Sequence, residues 1–301
     1  MKKSLKVSAA FLTAMMVMGA LTGCGGSSDA TKAASDTTAS GDTSAAADAT
    51  TAASGDTTAD VQKIIDAGKL TVGVKSDVPY FSLQNTATGE YEGFEDDLAY
   101  EIAGKIFGVT ADEAKEKKLV DFEGVTAKTR GPLLENGDID LVIATFTITD
   151  ERKETYNFST PYFTDGVGFL VLKDSGINSI EDMDGKVIGV AQSSTTEKSF
   201  KAYVKDNGLN VDATFEEFDG YPALAAALAA KNIDVFSVDR AILAGYKDDS
   251  NVLLDDRFAE QEYGVASKKE NTGLAALVDG VVVDLKDSGA LDKMITEWGI
   301  E

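Results

Sequence analysis

Ile139–Ala144 (IDLVIA) is a nearly unbroken apolar run, the pattern of a β-strand buried on both faces. On its N-terminal side Pro132 opens a helical stretch, where its missing N–H costs nothing. Further back, Phe94, Leu98, Ile102 and Ile106 recur at every fourth position and predict an amphipathic helix. Leu70, Val72 and Val74 alternate like a strand. Before them Val61, Ile64 and Ile65 share one helical face, which Gly68 closes. The order repeats on the C-terminal side. Val187–Ala191 reads as a strand, Glu197–Lys205 as a helix, and Tyr221–Ala230 (YPALAAALAA) as an alanine-rich helix with Pro222 in its first turn. Asp234–Val238 is a further strand, and Leu274, Leu277, Val278, Val281 and Leu285 stand at helical spacing. Strands alternating with helices predict parallel sheets and an α/β fold, here in two successive runs that suggest two lobes.

Composition limits what such a fold can do. The 301 residues carry 28 Lys+Arg against 51 Asp+Glu, a formal net charge of −23. That excess opposes binding to a nucleic-acid backbone or an anionic lipid surface, both of which need clustered cations. There is no histidine, which removes the commonest metal ligand and general base. One cysteine cannot form an internal disulfide or a Cys-rich metal site. No enzyme activity, cofactor or metal is expected.

The N-terminus reads as an address. Lys2, Lys3 and Lys6 precede an apolar run from Val7 to Leu21, too short to span a membrane and typical of a secretory signal. Leu21-Thr22-Gly23-Cys24 resembles the lipobox of bacterial lipoproteins. That resemblance implies removal of residues 1–23 and lipidation of Cys24. Residues 25–59 hold only Gly, Ser, Thr, Ala, Asp and one Lys. With so little to bury, 24–59 is expected to be a disordered tether, spanning about 32 Å r.m.s..

In open parallel sheets, ligands bind beyond the carboxyl ends of the strands. Lys75, Asp77 and Tyr80 follow the first strand; Thr145, Thr147 and Arg152 follow IDLVIA; Ser194, Thr195 and Thr196 follow Val187–Ala191; Asp239 follows Asp234–Val238. Hydroxyls, an arginine and an acid are the partners that an amino acid's carboxylate and ammonium need. The same residues have plainer readings. Ser and Thr at such turns serve as N-caps, and Arg152 within Asp150–Glu154 reads as a solvated charge. Spacing alone leaves both open.

Three motifs make the chain recognisable: Gly93–Ala99 (GFEDDLA), Ala144–Phe158 (ATFTITDERKETYNF) and Val187–Thr196 (VIGVAQSSTT). Residues 60–301 resemble the family 3 extracellular solute-binding proteins, the amino-acid receptors of ABC importers. Val125–Leu134 (VTAKTRGPLL), Asp219–Pro222 (DGYP) and Phe236–Asp239 (FSVD) resemble the aspartate/glutamate-binding branch. Asp96 departs from the family, which usually has an apolar residue there. The resemblance implies a two-lobed periplasmic-binding-protein-like fold of type II, in which the chain crosses twice. Lobe 1 would comprise 60–164 plus 264–301 and lobe 2 165–263, with hinges at Thr164–Asp165 and Glu262–Gly264. It further implies Arg152 as the carboxylate-binding arginine, with Thr147 and Thr195 or Thr196 as further donors. Asp239 would hold the ammonium and Tyr80 would pack over the ligand. Lys75, Arg130 and Tyr221 would surround the side-chain carboxylate of an acidic ligand. The expected protein is a monomeric receptor, anchored outside the cytoplasm, that passes aspartate or glutamate to ABC permease subunits. Another polar amino acid such as glutamine or cystine is the alternative ligand. A surface adhesin or sensor, or a dehydratase on the same fold, ranks below it.

Overall fold

The computed structural model describes residues 57–300. The expected signal, Cys24 and the tether up to residue 56 lie outside the described residues, as does Glu301. Helix α1 (Ala59–Ala67) ends at Gly68, which takes φ +73°, and strand β1 (Leu70–Val74) follows. A small antiparallel sheet comes next, from β2 (Asp77–Val78), β3 (Ser82–Gln84) and β4 (Tyr91–Glu92). Helix α2 (Phe94–Phe107) buries Phe94, Leu98, Ile102 and Ile106, as their spacing predicts. Its start is held by Gly93: a Cβ there would lie 2.0 Å from the carbonyl oxygen of Phe81. Only glycine lets the helix dock so closely, with the Phe94 and Glu95 N–H groups donating to the Tyr80 and Phe81 carbonyls.

Next come α3 (Ala111–Glu116), β5 (Val120–Gly124), α4 (Arg130–Asn136), β6 (Leu141–Val142), α5 (Asp150–Thr155) and β7 (Tyr156–Phe158). The chain then enters a second sheet through β8 (Phe163–Leu172), β9 (Val187–Ala191), α6 (Thr196–Asp206), β10 (Thr214–Phe218), α7 (Tyr221–Ala229), β11 (Val235–Asp239), α8 (Arg240–Ala244), β12 (Asn251–Leu253) and β13 (Phe258–Tyr263). It returns to the first through β14 (Ala266–Lys268) and finishes in α9 (Thr272–Asp287) and α10 (Ala290–Glu297).

Both sheets share one plan. The first has the order β5-β1-β6-β14-β7 and the second β10-β9-β11-β8-β12. In each, three strands run parallel, two of them read from the apolar runs; two further strands join antiparallel in the first sheet, and three in the second, where β13 also pairs with β8. Of IDLVIA only Leu141 and Val142 are ladder residues, although Ile139 and Leu141–Ala144 are all buried. The Asp140 and Ile143 N–H groups still donate to the β1 carbonyls of Thr71 and Gly73, at 2.8 and 2.9 Å, so the run follows β1 on both sides of those two residues. Where the chain passes between the sheets its two crossings lie side by side, with the Tyr162 N–H donating to the Tyr263 carbonyl at 2.9 Å. From there β8 and β13 pair antiparallel, matching Thr164 with Glu262 and Asp165 with Gln261.

Candidate functional site

Two arginines and one lysine converge beyond the carboxyl ends of the strands. Arg130, the first residue of α4, is 4% exposed and lies with its guanidinium 4.3 Å from the ring centroid of Phe146. Its Nη1 donates to the carbonyls of Ala144 and Thr145, the latter at 3.2 Å, while Nε has no partner. Arg152 lies 4.5 Å from the centroid of the same ring. It donates to the carbonyls of Thr147 at 2.7 Å and Ser193 at 3.3 Å, the second from the other sheet's side. Thr149 caps α5 by accepting the Arg152 N–H, which fixes where that side chain starts. Neither guanidinium is ion-paired among the described residues. Burial pushes both pKa values down, that of Arg152 to about 9 with the charge of Arg130 adding to the effect. Both remain cations at neutral pH.

Lys75 is 1% exposed and ion-paired with Asp77 at 3.1 Å, and its Nζ sits 4.6 Å from the centroid of the Tyr221 ring. Burial lowers its pKa and Asp77 opposes that shift. The other oxygen of Asp77 accepts the Tyr221 N–H at 3.2 Å, so the pair reaches from β2 to the head of α7. Asp239, at the end of β11, is buried and accepts the Tyr263 hydroxyl at 2.5 Å. Burial, then the charge of Asp165, pushes its carboxyl up to about 7; the Tyr263 bond and the two arginines pull the other way.

The hydroxyls are arranged less simply than the sequence suggests. Thr147 and Thr195 both donate to Oε1 of Gln261, at 2.8 and 3.0 Å. Each hydroxyl has one proton, so Gln261 occupies two donors expected to face a ligand. Thr196 is buried at the start of α6, and Ser194, half-buried, closes the turn before it by donating its N–H to the Ala191 carbonyl. Thr145 is buried at φ +45°, a strained value for a β-branched residue, and its hydroxyl has no partner. Two groups hold that strain in place: Arg130 grips its carbonyl, and Glu95 accepts its N–H at 2.6 Å.

Glu95 and Gln261 were not foreseen as site residues. An acid in the first turn of a helix reads as a partner for the helix dipole, and a lone glutamine in a strand carries no signal. Yet Glu95 is fully buried, accepts the Tyr162 hydroxyl at 2.5 Å as well, and keeps one oxygen without a partner. Burial pushes its carboxyl up to about 7. Tyr80 goes the other way: it is 46% exposed at φ +72° and lines a separate cavity with Arg240, Leu253 and Ile300. Its carbonyl is committed to the head of α2, which leaves the side chain on the surface, apart from the charged cluster. Asp96, the departure in GFEDDLA, turns inward and accepts the Ser82 hydroxyl at 2.8 Å, anchoring β3 to α2. No group of three or more acidic, histidine or cysteine side chains suited to a metal ion occurs among the described residues. The cluster instead offers buried cations beside a buried acid, which suits a zwitterion.

Residues 70–301 match the bacterial extracellular solute-binding proteins, family 3. A glutamine-binding protein of Geobacillus stearothermophilus is 41% identical over 213 residues, 70% of this chain and 76% of the relative. The glutamine-binding protein GlnH of an ABC transporter in Bacillus subtilis is 35% identical over 238 residues, 78% of this chain and 82% of the relative. Among solved structures, a mutant of ArgBP from T. maritima is 29% identical, with a TM-score of 0.68 over 80% of this chain and 100% of that one. The two sheets with their double crossing are thus the two-lobed type II periplasmic-binding-protein fold that the motifs imply. The two curated relatives are named as binding proteins, one of them of an ABC transporter, and not as enzymes.

Proposed function

The chain belongs to the bacterial extracellular solute-binding proteins of family 3, and from that premise we propose that its cleft receives an acidic amino acid, aspartate or glutamate. One observation carries this reading: a buried guanidinium, Arg130, and a half-buried one, Arg152, share the Phe146 ring and neither has a carboxylate partner among the described residues. A desolvated guanidinium that no carboxylate contacts has only neutral groups in place of its hydration, so such a site favours a ligand that brings one carboxylate into contact with each arginine. Arg152 takes the α-carboxylate, with Thr147, Thr195 and Thr196 beside it, and Asp239 takes the ammonium. Arg130, Lys75 and Tyr221 take the side-chain carboxylate. Lys75, Arg130 and Arg152 belong to lobe 1 (60–164 plus 264–301), and Thr195, Tyr221 and Asp239 to lobe 2 (165–263). A ligand bridging them favours the closed state, which a membrane permease can recognise. Anchored through lipidated Cys24, the receptor hands its cargo to that importer.

A neutral polar ligand is the second reading, favoured by the Lys75–Asp77 ion pair. That pair offers one donor and one acceptor, which is what a carboxamide needs, and the two relatives described above are named as glutamine-binding. Titration calorimetry of the purified, ligand-stripped protein with the twenty amino acids separates the two. A micromolar constant for aspartate or glutamate, about −8 kcal/mol, with weaker glutamine binding supports the proposal. Tighter binding of glutamine than of either acid overturns it.

A further inference from the structure

We propose that Glu95 is the proton site of the cleft: binding an acidic amino acid places a proton on its free oxygen, and binding a neutral one does not. The inference rests on the acidic-ligand reading above. Glu95 and Arg130 hold opposite ends of one residue, since Thr145 gives its N–H to Glu95 at 2.6 Å and its carbonyl to Arg130 at 3.2 Å. Glu95 therefore draws on the same cation that a ligand's side-chain carboxylate would use. The groups facing it are Lys75 from the end of β1, Arg130 from α4, Tyr162 from the crossing segment and Asp96 beside it on α2. Lys75 is already matched by Asp77. That leaves Arg130 and Arg152 balanced by Glu95 and Asp239 when all four are ionised. A neutral amino acid preserves the balance. An acidic one adds a negative charge inside a buried cleft, and the proton that restores neutrality comes from solvent and goes to Oε2 of Glu95, the carboxylate oxygen with no hydrogen-bond partner.

The free carboxyl lies at about 7, so protonation needs only a modest further shift near neutral pH. The sign is fixed: a second carboxylate nearby raises the Glu95 pKa, so acidic ligands bind more weakly as pH rises from 7 toward 9. Asp239 shifts in the opposite sense when it meets an ammonium, but it does so for every amino acid. Comparing protein variants on one ligand therefore isolates Glu95.

The test is titration calorimetry of L-aspartate and L-glutamate into the purified protein and into E95Q, at pH 7.5 in phosphate and in Tris. The two buffers differ in ionisation heat and so count protons. Wild type is expected to take up at least about half a proton more than E95Q, and its affinity to fall by up to about tenfold per pH unit between 7 and 9, against a flatter E95Q profile. Tyr162→Phe, which removes a donor that lowers the Glu95 pKa, moves the fall to higher pH in a protein that keeps the carboxylate. Equal proton counts in wild type and E95Q, or an unmoved profile in Y162F, overturn the proposal. Failure of both acids to bind, with glutamine binding, overturns the acidic-ligand reading itself and is recognisable as such.

Discussion

Replacing Arg130 by methionine tests the specificity of the cleft most directly. The side chain is 4% exposed, stacks 4.3 Å from the Phe146 centroid and makes no ion pair among the described residues. Methionine keeps most of the volume and removes the charge. Truncating one partner of a buried, hydrogen-bonded charge pair costs about 2–5 kcal/mol, roughly 30-fold to several thousand-fold in affinity. For glutamine, whose side chain brings no charge to Arg130, the loss is that of a neutral hydrogen bond, about 1 kcal/mol or roughly fivefold. R130M also strips a donor from the carbonyls of Ala144 and Thr145 and loosens the strained Thr145. That disturbance weakens both ligands alike, so the ratio of the two constants is the informative quantity. Calorimetry with aspartate, glutamate and glutamine on both proteins, folding verified by circular dichroism, should show the acid-to-glutamine preference falling by at least about tenfold. An equal loss for all three ligands would refute the side-chain role of Arg130.

Arg152→Ala is expected to abolish binding of every amino acid, because the α-carboxylate loses its counter-charge; micromolar affinity retained in calorimetry would sink the assignment. Asp239 provides a pH signature. Its free carboxyl lies at about 7 and a bound ammonium favours the ionised form, so affinity should fall as pH drops from 7 to 5.5, by up to about tenfold per unit. An affinity constant over that range would exclude Asp239 as the ammonium's partner. The same raised carboxyl destabilises the ligand-free protein. Its folded pKa exceeds its unfolded value, so the folded state binds more protons and stability is lost as pH rises from about 4 to 7. Asp239→Asn should therefore stabilise the ligand-free protein at pH 7.5 by on the order of 3 kcal/mol, measured by urea denaturation, and do so much less at pH 5. Equal effects at both pH values would contradict the shift.

The parts of the fold legible in sequence are those built on repetition. Val187–Ala191 forms its strand to the residue, and α2 buries the four side chains that its spacing selected. The strands β5, β7, β8, β10 and β12–β14 of the two main sheets and β2–β4 of the small sheet were not foreseen. Most are only two to five residues long, so few alternating residues mark them. The site shows the same division. Lys75, Arg130, Arg152, Tyr221 and Asp239, which strand ends and the resemblance single out, are all buried or half-buried. What escaped is pairing. Nothing in the sequence says that Lys75 is matched by Asp77, or that Gln261 holds two threonine hydroxyls. The Gln261 bonds join residues more than sixty positions apart and leave no local pattern, while Lys75 and Asp77, two positions apart, carry no spacing signal that tells an ion pair from two separate charges.

The acidic composition weighs against nucleic-acid and anionic-lipid partners, but a net charge says little about a small ligand held among a few buried groups. What matters is how buried charges are distributed over the two crossings. Each crossing delivers one tyrosine hydroxyl to one buried acid: Tyr162 to Glu95 beside the first sheet, and Tyr263 to Asp239 at the end of a strand of the second. The two tyrosines are joined through their backbones at 2.9 Å, and their rings lie 6.2 Å apart. Both acids have carboxyls near 7, so each hydroxyl faces a group whose charge changes near neutral pH. A hydroxyl donor binds a carboxylate more strongly than a neutral acid. On the proposed binding mode, a ligand that ionised Asp239 through its ammonium would tighten one crossing, and one that protonated Glu95 through a second carboxylate would loosen the other. Ligand charge would in this way reach the segments about which the lobes would turn, through two hydrogen bonds that no motif announces.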